Sequence, residues 1–140
     1  MKRLALFAGI ALAVLVASST AWAQSSPLDG TFKNTVTPGP GIPVAMDGTW
    51  TIIFTAATGT TGTYRFKYHG QKVDGGSYAI SGSKVTFTDH WVEGISCKKP
   101  GQYTFAAAGN QLTFSVIADG PHQCYPRKVI LALSGPLTKA

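Results

Sequence analysis

Large apolar and polar residues alternate along most of the chain, in short runs separated by glycine-rich turns. The run Thr49-Trp50-Thr51-Ile52-Ile53-Phe54-Thr55 and the run Tyr64-Arg65-Phe66-Lys67-Tyr68 both have the period of two expected of strands buried on one face. Trp50, Ile52, Phe54, Tyr64, Phe66 and Tyr68 then share a face. The pattern continues with Tyr78 and Ile80, Val85 and Phe87, Tyr103 and Phe105, then Leu112, Phe114 and Val116, and finally Val129, Leu131 and Leu133. Beyond the first two dozen residues no window offers comparable helical spacing.

Turn chemistry sets the pairing. Gly109-Asn110 between two alternating runs suits a two-residue hairpin with a positive φ angle, which places Ala107 opposite Leu112, Phe105 opposite Phe114 and Tyr103 opposite Val116. The loop from Ser81 to Lys84 likewise pairs Ile80 with Val85 and Tyr78 with Phe87. Candidate strands fall at 28–36, 48–55, 62–69, 77–81, 84–89, 101–107, 110–117 and 127–133, eight in all and joined mostly by short links. Such links hardly permit the crossovers of a sandwich, and a closed barrel removes the exposed edges of a sheet this size. The expected fold is all-β, an eight-stranded antiparallel up-and-down barrel.

The start of the chain is of another kind. Lys2 and Arg3 precede an apolar stretch from Leu4 to Val16, and Ala21-Trp22-Ala23 offers small residues where a signal peptidase reads. Residues 1–23 are read as a leader and 24–140 as one barrel domain, exported to the periplasm or beyond. After the leader there is no second apolar run long enough for a membrane span. Export also changes the reading of the cysteines. Extending the Gly109-Asn110 hairpin outward brings Cys97 near His122, two residues from Cys124, and two cysteines in an exported domain are usually bonded. A disulfide closing that loop would contribute roughly 3 to 4 kcal/mol in the chain-entropy account.

Charge excludes one class of partner. The chain carries a net charge of +6, but its basic residues are scattered rather than run together, which describes a solvated surface and not a nucleic-acid patch. Catalysis finds little in the sequence: His69, His90 and His122 lack metal-motif spacing, the serines lie in turns, and no cofactor-binding pattern appears. The chain is therefore read as a non-enzyme. One polar grouping stands out, Asp89-His90 with Asp119 and His122, which the hairpins bring toward the cysteines.

Leu28-Asp29-Gly30-Thr31-Phe32 and its echo Asp47-Gly48-Thr49-Trp50 resemble the G-x-W start of the lipocalin and calycin barrels. Arg127 resembles the arginine that opens the last strand of that family and packs across the tryptophan. The positions from Tyr78 to Asp89, then Cys97, Gly101 to Phe105, Leu112 to Phe114, Asp119, Cys124, Arg127 and Leu131 resemble small secreted bacterial lipocalin-like domains. With the first strand beginning at Leu28, Phe32 stands at the tryptophan's place and Trp50 is a wall residue of the second strand.

The resemblance implies a barrel that binds a small hydrophobic or aromatic ligand inside. Trp50, Phe54, Tyr64, Phe66, Tyr68, Tyr78, Tyr103, Phe105 and Arg127 would line it, the tyrosine hydroxyls orienting the bound molecule. Rings this bulky could instead fill the interior, leaving a structural barrel. A third reading is a barrel acting through a protein partner, as periplasmic protease inhibitors do by inserting an N-terminal segment, here Gln24-Ser25-Ser26-Pro27. The stretch 34–43, with Pro38-Gly39-Pro40-Gly41, is an irregular loop that serves as a lid over one mouth or as a plain linker. Exported material is expected to begin at Gln24 and to hold no free thiol. Intact mass checks both, as loss of residues 1–23 and a deficit of two hydrogens.

Overall fold

A computed structural model describes residues 25–90, 97, 99–119 and 124–140. Residues 1–24, read above as a leader up to residue 23, His122 and most of the connection from 91 to 98 lie outside the described residues. The strands are β1 (Gly30–Val36), β2 (Gly48–Ala56), β3 (Thr61–Tyr68), β4 (Gln71–Ser81), β5 (Lys84–Asp89), β6 (Gly101–Ala108), β7 (Gln111–Ala118) and β8 (Leu137–Lys139). Each is hydrogen-bonded antiparallel to the next and β8 returns to β1, so the sheet is a closed up-and-down barrel of eight strands.

Where pattern and turn chemistry agree, the register is the expected one. Gly109 takes φ 59°, and Ala107, Phe105 and Tyr103 face Leu112, Phe114 and Val116. Ile80 faces Val85 and Tyr78 faces Phe87. On β2 and β3, Trp50, Ile52, Phe54, Tyr64 and Phe66 are buried, with Tyr68 partly so at the end of its strand.

Two elements differ from the sequence reading. The fourth strand begins at Gln71 rather than Ser77, because His69 (φ 49°) and Gly70 (φ 77°) make a tight turn straight back from β3. The segment from Gln71 to Gly76 hides its strand character behind two glycines and a bulge at Phe66/Lys67, so no apolar alternation marks it.

The other difference is at the C-terminal end. Residues 127–133 are not a strand: Tyr125–Lys128 form a short helix, α1, continued by a wider helical turn over Val129–Leu133. Pro126 sits in the first turn, where its missing N–H costs nothing. Val129, Ile130 and Leu131 are all fully buried whereas Leu133 is exposed, a sequence of three inward residues that a strand with one buried face cannot provide. The eighth strand is instead Leu137–Lys139, which pairs with only two residues on each neighbour. Above it the helical segment plugs the gap between β1 and β7. Asn34, buried on β1, donates its amide to the Ile130 carbonyl at 2.8 Å, so a side chain takes over where the ladder to β8 stops.

The expected disulfide is not formed. Cys97 and Cys124 are both buried and are neighbours, 2.9 Å apart, but they are free thiols, beyond the roughly 2.05 Å of a sulfur–sulfur bond. Burial pushes the titration of both thiols up, which favours the protonated form.

Phe114 is buried while Phe105, opposite it, is only partly covered. Phe114→Ala is expected to cost about 3 to 5 kcal/mol and Phe105→Ala distinctly less, measured by chemical denaturation.

Candidate functional site

The barrel lumen is where the sequence places a ligand, and its content follows from three strands that are not neighbours. Phe54 of β2, Phe87 of β5 and Phe114 of β7 meet across the barrel, with ring centroids 6.1, 6.3 and 5.8 Å apart. Tyr64 and Tyr103 close on Phe87 at 5.1 and 5.7 Å, and Tyr78 closes on Phe54 at 5.9 Å, mostly edge to face as ring quadrupoles prefer. Phe66 packs on Tyr64, Phe105 on Phe114. The residues expected to line a pocket are thus brought together, against one another.

Their hydroxyls are also engaged. Tyr64 donates to Asp89 and Tyr103 to Asp119, Tyr78 donates to Ser26 Oγ at 3.1 Å, and Tyr68 to the Asp47 carbonyl at 2.5 Å. Burial, followed by the bonds to Asp89 and Asp119, raises the titration of the Tyr64 and Tyr103 phenols far above the ordinary value, so both stay donors. Trp50 stacks on Tyr68 at 4.6 Å and donates to the Met46 carbonyl at 2.9 Å.

Buried residues stand at both barrel ends. At the floor, Leu28 is fully buried and Ser26 nearly so, beneath Tyr78, while Asp29 accepts the Ala56 N–H at 2.9 Å. The segment proposed to enter a protease thus has its Ser26 inside this chain's own barrel. At the other end lies Arg127, which has no exposed surface and whose partners among the described residues are carboxylates and a carbonyl. Being on α1 rather than on a strand, its guanidinium reaches two carboxylates. It grips Asp119 with Nε (3.0 Å) and Nη2 (2.7 Å), reaches Asp89 with Nη1 (2.7 Å) and donates to the Lys99 carbonyl at 3.0 Å. Burial alone would lower its titration, but the bonds to Asp119 and the charge of Asp89 outweigh this and raise it. A Cβ at Gly101 would stand 2.6 Å from Nη2, so only glycine leaves room for the cation.

Sequence reasoning brought Asp89 and Asp119 to this end but missed Asp74. That residue lies inside, fully buried, with Oδ1 accepting the Gly75 N–H at 2.7 Å and Oδ2 without a hydrogen-bond partner among the described residues. Its position became visible only once β4 was seen to begin at Gln71. Burial and then the charge of Asp89 push its carboxyl up to about 8. Compared with known protein families, curated proteins and solved structures, the chain matches none.

The folded chain holds the Asp74 proton up to about pH 8, whereas the unfolded chain releases it near 3.8. Rising pH therefore favours unfolding across that window. Asp74→Asn, which needs no proton, is expected to unfold at a higher temperature than the parent above pH 8, with the gap closing toward pH 4. Calorimetry over that range checks it, and parallel curves would count against a buried neutral Asp74.

Proposed function

We propose that this chain is an exported, non-enzymatic barrel of lipocalin-like design whose interior is given over to stability and whose recognition falls to its outer wall. The supporting observation is the meeting of Phe54, Phe87 and Phe114 across the lumen, which puts side chains where a ligand would sit. The partnered tyrosine hydroxyls and the buried residues at the two ends agree with it. Among the described residues no helix is long and apolar enough to cross a membrane.

In an oxidising compartment the adjacent cysteines would pass two protons and two electrons to a thiol oxidant and close the Cys97–Cys124 bond. The bond would tie the base of α1 to the loop before β6, next to Arg127. The small-ligand reading competes directly with the outer-wall reading. Titrating exported protein with an apolar fluorescent probe is expected to give no saturable change in tryptophan emission. Saturation at one equivalent would restore an interior ligand and overturn the outer-wall reading.

A further inference from the structure

Folding divides the charge of this chain unevenly. The leader holds Lys2 and Arg3 of the twelve basic residues, which leaves ten together with all six acids. One of these bases, Arg127, and three of the acids, Asp74, Asp89 and Asp119, have their side chains inside the barrel. Nine bases against three acids, Asp29, Asp47 and Glu93, are left for the rest of the molecule, a larger excess than the net charge suggests.

The wall made by β1, β2 and β3 shows where part of that excess goes. None of these three strands contains an aspartate or a glutamate. Their register sets Lys33, Thr51 and Lys67 in one row across the sheet and Thr31, Ile53 and Arg65 in the next. Both rows face away from the core, since they alternate with the buried Phe32, Ile52, Phe54 and Phe66. Two strand spacings put Lys33 and Lys67 about 10 Å apart. That is comparable with the screening length at physiological salt, so their fields overlap above the wall. Asp29 and Asp47 stand at opposite ends of the wall, just before β1 and β2, and the first is engaged by the Ala56 N–H. Glu93 lies outside the described residues and follows β5, which β4 separates from β3.

We propose that the β1–β3 wall docks on an anionic phospholipid surface, with Lys33, Arg65 and Lys67 meeting the headgroups. Charge complementarity supports this, and so does shape. The three cations are spread over a convex wall instead of converging in a cleft, which suits a plane of many negative groups better than one discrete anion. On such a wall the middle strand stands furthest out. There β2 offers the short side chains of Thr51 and Ile53, and the long stems of the lysines and the arginine on either side can reach the same plane. Ile53, half-buried between Thr31 and Arg65, gives that plane one apolar contact. Rows this polar do not face hydrocarbon, so the docking is peripheral. The inference rests on recognition falling to the outer wall and names the partner of that wall.

Sedimentation of the exported protein with vesicles tests it. Binding is expected to phosphatidylcholine vesicles containing phosphatidylglycerol, not to phosphatidylcholine alone, and is expected to vanish at high ionic strength. K33Q, R65Q and K67Q should each weaken it about fivefold. K84Q, on β5, should change it by less than about twofold, and thermal unfolding verifies that every variant is folded. Equal weakening by K84Q would overturn the docking wall, because net charge alone would then drive binding. Absence of sedimentation, equal sedimentation with phosphatidylcholine, or binding of soluble polyphosphate without binding of vesicles would overturn it too. Saturable uptake of the apolar probe would defeat the outer-wall reading itself, whereas loss of vesicle binding with the probe still excluded defeats this site alone.

Discussion

A guanidinium with no access to water, Arg127, ties together the parts of the barrel that the sheet alone leaves loosely joined. Burying a cation is costly, and it is tolerated here because Asp119 grips it with two bonds, Asp89 and the Lys99 carbonyl take further donors, and two tyrosines complete the carboxylates. Those partners come from β3, β5, β6, the end of β7 and the loop before β6. One side chain on a four-residue helix therefore fixes where all of them meet. Asp89 also accepts the Cys97 N–H at 2.7 Å, so the network sets the cysteines side by side.

The same residue explains how the barrel closes. A β8 of three residues joins β1 and β7 only at the floor, and above it Val129, Ile130 and Leu131 fill the gap as a helical wedge. Asn34 pins the wedge to β1 and Arg127 pins its start to the carboxylates. Edges that would otherwise be open to other chains are covered by this wedge.

The interior is consequently given over to packing. Inside, rings from opposite walls touch and each buried hydroxyl of Tyr64, Tyr78 and Tyr103 has a partner, leaving the lining residues occupied with one another. That occupancy directs attention to the wall rather than the lumen.

By itself the sequence determined what depends on local chemistry. Alternation assigned Trp50, Phe54, Tyr64, Phe66 and Tyr78 to the inside, and Gly109 with its positive φ set the register of β6 on β7, because a two-residue turn admits one pairing. Only the tertiary structure decided the rest. Val129 and Leu131 alternate as a strand would, and it is the gap left by a short β8 that makes Ile130 turn inward with them as a helix. Arg127, displaced with that helix, meets Asp89 and Asp119, and the placing of Asp74 depends on a bulge that carries no sequence signature. Local alternation sees which face a residue prefers. It cannot see which distant strand arrives opposite, and the buried charge network is made of such arrivals.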